Sequence, residues 1–163
     1  MTQSLPQVSH EHHERLLHHV DQMPALADSL LTARAEVVKA GLAEMSAFLS
    51  GTLIPHMEAA ERTVYPELER MFQNRHSMAP MRREHEEIRK LVAVLGGLTR
   101  QLGENQVTIG RTLGLRRVIF QLYALLKVHL TEEEAYLRIV EHGVDTDVAD
   151  VMAAAMEHPV GIG

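Results

Sequence analysis

The chain has 163 residues, 45% of them apolar and 23% charged, which suits one folded domain with a core of its own. A net charge of −6 without a basic cluster argues against a nucleic-acid surface, and the lack of Trp, with only 4% aromatics, argues against stacking on bases. With no cysteine, disulfides, zinc–thiolate sites, iron–sulfur clusters and thiol nucleophiles are excluded together, in keeping with a reducing cytoplasm. Residues 1–9 have neither the basic start nor the apolar run of a signal peptide. No apolar stretch approaches the roughly 20 residues that span a bilayer, so a cytoplasmic chain free of membrane is expected.

Ala, Leu, Glu, Arg and Met dominate, and apolar residues recur at intervals of three and four. This periodicity predicts helices over 9–31, 34–72, 78–102 and 107–141, with a short fifth helix over 146–157. Gly103 and Gly143 follow the third and fourth as terminal glycines. Ser77 is placed to cap the third, with Pro80 in its first turn, and Pro159 and Gly161 mark a loose tail. No strand pattern competes. The expected fold is all-α: an antiparallel up-down-up-down four-helix bundle, one domain over 1–163 with its core at about 10–141. The fifth helix would cover an open edge or make a dimer contact, so monomer and homodimer both stay open.

Histidine is the compositional outlier, with 11 residues. Four histidines fall on apolar helical stripes. His13 precedes Leu16, Leu17, Val20 and Ala27; His10 and His12 are neighbours able to substitute for it, while His18 and His19 read as a solvated face. His56 follows Leu42, Met45, Leu49 and Leu53. His85 lies among Met81, Ile88, Val92 and Leu95. His129 and Glu133 continue the stripe Leu115, Ile119, Leu122 and Leu126, one turn apart on the same face. An unpaired carboxylate in a core is costly, and a cation shared with imidazole removes that cost. His13 and His85 are 72 residues apart and His56 and His129 are 73 apart, so each half of the chain is a helical hairpin with an early and a late histidine. Paired hairpins of this kind build metal sites of iron or manganese in bundle cores, and imidazole with carboxylate also suits zinc.

Here the sequence resembles the hemerythrin-like, or HHE cation-binding, family. The resemblance rests on Glu84-His85 with His129 and Glu133-Glu134 in one hairpin. In the other it rests on His13 and the stretch His56-Met57-Glu58-Ala59-Ala60-Glu61-Arg62-Thr63-Val64-Tyr65-Pro66. It covers about residues 10–140 and implies a non-heme centre of two irons, bridged by carboxylates and able to meet O2, NO or peroxide. The ligands expected are His13, His56, His85, His129 and Glu133, with Glu61 as the first hairpin's carboxylate if the helix that carries it is irregular.

Two departures from the family pattern stand out. Aligned on His56 and Pro66, the family's first glutamate falls on Ala60, and Glu61 is one residue late, which turns it roughly 140° from His56 on an ideal helix. Pro55 cannot bond the carbonyl of Gly51, so an irregular turn is expected; a π-bulge between Pro55 and Arg62 would bring Glu61 under His56, with Glu58 as the alternative. Second, Arg89 stands where oxygen-carrying relatives have another histidine, which favours reaction or sensing over reversible carriage. His76 is too far along its helix to join His85, and Met71, Met78, Met81, Met152 and Met156 read as core filler. Tyr65, Tyr123 and Tyr136 read as packing, with Tyr65 or Tyr136 within reach of the centre. Glu132 is expected in solvent and Glu133 inward, with Glu134 left open.

Three functions compete at this stage. The leading one is a metal protein that senses, binds or detoxifies O2, NO or peroxide. The second is a di-iron oxidase or oxygenase acting on a small organic substrate, and the third a metal-free or mononuclear helical interaction module.

Overall fold

The structure, a computed structural model, describes residues 5–103 and 109–142, with side chains over 11–102 and 109–139. Six α-helices and one π-helical turn fill these spans: α1 (Leu5–Asp21), α2 (Met23–Ser29), α3 (Ala35–Phe48), the π turn Leu49–Leu53, α4 (Ile54–Met71), α5 (Ala79–Gly103) and α6 (Ile109–His142). Among the described residues there is no strand. The predicted fifth helix over 146–157 and the Gly143 terminus lie outside the described residues.

The first predicted helix is two helices. Pro24 in the first turn of α2 lacks an N–H and its ring crowds the carbonyl four residues back, so α1 stops at Asp21. The second predicted helix keeps its full length but carries the π turn in its middle, where the Ile54 N–H reaches back to the Leu49 carbonyl. Pro55 is the physical reason: a wider turn relieves its ring of the Gly51 carbonyl. The irregularity therefore lies upstream of His56, and α4 is continuous α-helix from Ile54 to Met71, with Pro66 inside it past the residues near His56. The expected bulge between Pro55 and Arg62 is corrected accordingly.

The third and fourth helices fall within two residues of their predicted ends, although Gly103 is the last residue of α5 rather than the first beyond it. Ser77 turns its hydroxyl back to the Asn74 carbonyl at 2.9 Å instead of capping α5. Helix α4 closes with Gln73 at φ 51°, a left-handed conformation that costs a non-glycine residue about 1–2 kcal/mol. Gln73→Gly should therefore raise stability by up to about 1 kcal/mol, read as a higher melting temperature.

By length and composition alone, the helix Ala35–Met71 is apolar enough to cross a membrane, contrary to the reading of the sequence. Alanines such as Ala40, Ala43 and Ala47 raise its average hydropathy and lie on its exposed side. Its large apolar side chains, Leu42, Met45, Phe48, Leu49 and Leu53, are buried in the core.

Contacts between helices run in opposite chain senses. Asp21 and Asp28 meet Lys127 and Arg116 of α6 respectively, and Glu61 and Glu69 of α4 meet His85 and Arg82 of α5. The stripe residues Leu16, Val20, Leu42, Leu53, Ile88, Leu95, Leu115, Ile119, Leu122 and Leu126 form one large apolar cluster. A second, smaller cluster gathers Ala60, Tyr65, Leu68, Met78 and Met81. Between them, on every long helix, lies a polar layer: His13, His56, His85, His129 and Glu133. Apolar packing on both sides thus fixes the height at which these groups meet.

Candidate metal centre

Helix α6 supplies the centre of this layer. His129 and Glu133 follow Leu126 and Leu130 on its buried face, at 0% and 1% exposure. Helix α5 brings His85, also fully buried, between Met81 and Ile88. Helix α1 brings His13 and α4 brings the half-buried His56. Two groups result, His13–His56–Glu133 and His85–His129–Glu133, and within each the donor atoms lie within 4.8 Å of one another. Glu133 belongs to both. Its Oε2 is 2.9 Å from His56 Nε2, 3.2 Å from His13 Nε2 and 4.0 Å from His129 Nε2.

Glu61 and Glu58 do not enter these groups. Glu58 is exposed. Glu61 sits behind His85, with its Oε1 2.6 Å from His85 Nδ1, and Arg89 donates to the same oxygen at 3.0 Å. Because α4 is regular, its residues divide between two edges: His56 and Ala60 lie one turn apart toward α1, while Glu61 and Tyr65 lie one turn apart toward α5. Glu61 is the outer partner of His85, and Arg89 anchors it.

The same arrangement recurs behind two more histidines. Glu84 Oε2 lies 2.8 Å from His129 Nδ1, and Glu134 Oε2 lies 3.0 Å from His13 Nδ1. A carboxylate at Nδ1 takes that nitrogen's proton as a hydrogen bond and turns the Nε2 lone pair inward, the tautomer a metal-ligating imidazole needs. Tyr65, buried at 0% exposure, completes the layer. Its hydroxyl donates to Glu133 Oε1 at 3.2 Å and lies 3.1 Å from His85 Nε2. The Arg82 guanidinium covers its ring at 5.4 Å.

Protonation follows from burial and these partners. Burial pushes His85 down to about 4, with His129 adding to the effect, and burial likewise pushes His129 down to about 4. Burial alone would raise Glu133, but hydrogen bonds from His13 and His56 outweigh it and hold the carboxyl far below the usual range. For His13, burial is outweighed by Glu133 and Glu134, which raise the imidazole. Glu61 is lowered, since the bonds from His85 and Arg89 exceed its burial. Burial and the charge of Glu133 raise the Tyr65 phenol.

These assignments leave one contact that protein groups alone satisfy poorly. His85 and His129 are neutral, each Nδ1–H is donated to a carboxylate, and their two Nε2 atoms stand 2.9 Å apart. Two lone pairs facing each other at that distance repel. The Tyr65 hydroxyl can donate to His85 or to Glu133 but has one proton for both. A cation among the two Nε2 atoms and Glu133 relieves the repulsion, so the donor set fits a metal ion.

Other residues singled out from the sequence lie elsewhere. His12 borders the layer, its ring centroid 5.0 Å from that of His56, and His10 has no described side chain. His19 is exposed and stacks on Phe48, and His76 is exposed on the loop before α5. Tyr136 packs edge-on to Phe72, while Met78 and Met81 fill the smaller apolar cluster. Met152 and Met156 lie outside the described residues. The spacing of apolar residues gives Glu84 no role and leaves Glu134 open; the signal for each is its adjacency to a stripe residue, His85 and Glu133.

Fold and layer together define an all-helical protein with a buried imidazole–carboxylate core suited to cations. The hemerythrin HHE cation-binding domain matches the chain twice, over residues 7–108 and 76–159. The chain belongs to that family, in agreement with the resemblance read from its motifs. No curated protein and no solved structure matches the chain.

Proposed function

We propose that the chain holds two metal ions, iron before manganese or zinc, one in each histidine pair with Glu133 shared between them, and that it binds, senses or removes O2, NO or peroxide. The observation that carries this reading is the pair of inward Nε2 atoms of His85 and His129 at 2.9 Å, each fixed from behind by a carboxylate. Imidazole, carboxylate and phenol donors without sulfur favour iron or manganese over softer ions. The opposed helix contacts support the up-down-up-down antiparallel arrangement that sets the four histidines at one level.

When bound, iron supplies redox chemistry and open positions for a small oxidant. The protein's own groups do the rest. Glu61, Glu84 and Glu134 hold His85, His129 and His13 in their tautomers, Arg89 secures Glu61, and the apolar clusters exclude bulk water. Tyr65 presents its phenol oxygen to the same space.

Metal content of the purified full chain, with its optical spectrum before and after NO or peroxide, tests this directly. Two irons per chain and a spectrum altered by either reagent are expected; one zinc, or no metal, would count against the reading. Tyr65→Phe should keep its iron and shift the optical spectrum of the ferric protein, because it removes the hydroxyl that donates to Glu133. An unchanged spectrum would remove Tyr65 from the centre. Glu61→Gln should weaken metal binding by about 10–100-fold without changing the number of ions at saturation. Loss of one whole ion would instead place Glu61 among the direct ligands.

An oxidase acting on a small organic molecule is the second reading. It is favoured by a cavity of about 300 Å³ beside His13, His56 and Glu133. Metal-dependent turnover of such a molecule would separate it from the first.

A further inference from the structure

The cavity beside His13 and His56 sits against a layer short of negative charge. Among the described residues, the layer turns four imidazoles, one phenol and one carboxylate inward. Glu61, Glu84 and Glu134 stand outside it on the Nδ1 atoms, and Arg89 neutralises Glu61. Two divalent ions would bring four positive charges to a site whose sole inward carboxylate among the described residues is Glu133. Buried charge left uncompensated is costly, and a bound ion is the largest local charge in its surroundings.

The cavity is the place where a further anion can enter. It is lined by His13, His56 and Glu133 together with Ala59, Ala60, Val64 and Leu137. Ala60 stands one turn after His56 on regular α4, buried at 4% exposure, and its methyl group stops short of the layer. A longer side chain there would cross the space; with alanine, about 300 Å³ is left open. His12, on the rim, offers an imidazole N–H, and Val64 and Leu137 offer apolar surface.

We propose that this cavity binds a small carboxylate from solution, of the size of formate, acetate or propionate, which reaches the His13–His56 metal position past Ala60. Its carboxylate supplies the negative charge that α4 does not, and its alkyl end lies against Val64 and Leu137. The proposal rests on the metal reading above, and the test separates the two.

The test uses the full chain loaded with cobalt(II), whose visible bands report coordination, titrated with sodium acetate against sodium perchlorate at equal ionic strength. Wild type should show a saturable acetate-dependent band shift that the metal-free protein lacks. Ala60→Leu extends an apolar side chain into the cavity one turn from His56 and should weaken the acetate response at least tenfold with cobalt content unchanged. Ala60→Glu should carry the shifted spectrum without acetate and ignore its addition. Ala59→Leu, at an exposed position on the cavity wall, should also weaken the response, and serves if Ala60→Leu does not fold. Cobalt uptake without an acetate response overturns the carboxylate proposal alone, as does an undiminished response in folded Ala60→Leu or Ala59→Leu. Failure to take up cobalt, iron or manganese overturns the metal reading and this proposal with it.

Discussion

Glu133→Gln is expected to abolish metal binding at both positions, lowering affinity more than about 100-fold, a larger loss than removal of an outer partner gives. Glu133 is the one residue common to both donor groups. Its two oxygens are divided: Oε2 faces His13 and His56, and Oε1 accepts from Tyr65. Glutamine keeps the volume but loses the charge, and its amide places an N–H donor where a cation would be held. The metal-free protein suffers as well, since removing one partner of a buried charged pair costs on the order of 3–5 kcal/mol. Metal analysis and a melting curve measure the two effects separately. Glu58→Gln, at an exposed position on α4, is the control and should match wild type in both. Wild-type stoichiometry and affinity in Glu133→Gln would remove the shared carboxylate from the centre.

Acid should destabilise the metal-free protein well before ordinary carboxylates titrate. His85 and His129 fall from the usual 6.5 to about 4 in the folded state, chiefly through burial. Between those values the unfolded chain binds more protons than the folded one, so stability rises with pH across the window and is lost as pH falls from 6.5 toward 4. Each histidine contributes about 3 kcal/mol over that range. Glu133 and Glu61, held below their ordinary values, act in the same direction below pH 4.5. His13 acts oppositely: its raised value adds stability at low pH that is lost as pH rises above 6.5. The expected result is a melting temperature that is highest near neutral pH and falls steeply below 6.5. A melting temperature constant between pH 7 and 5 would show that the two buried imidazoles are not held neutral. In the metal-loaded protein, protons compete for the same Nε2 atoms only as pH falls toward about 4, so bound metal should move the loss of stability to lower pH.

The sequence by itself determined which residues belong inside. Helical periodicity put His13, His85, His129 and Glu133 on the same stripes as Leu16, Ile88, Leu126 and their neighbours, and those stripes are buried. Such legibility has a simple cause: a helix repeats every 3.6 residues, so burial is written into spacing. Pro55 likewise announced an irregular helix, because a missing N–H is a local property.

Only the tertiary structure decided where the irregularity falls and what it does. The turn widens at Leu49–Leu53, before His56, because the clash that Pro55 creates lies on the carbonyls behind it. Helix α4 then stays regular, so His56 and Ala60 share one edge and Glu61 and Tyr65 the other. From spacing alone Glu61 could be brought under His56; the packing of α5 gives it His85 and Arg89 instead. Tyr65 reaches the centre, and Glu84 and Glu134 settle behind their histidines, for the same reason. Each partner lies on a different helix, at sequence separations of 20 to 121 residues, where periodicity within one helix carries no information.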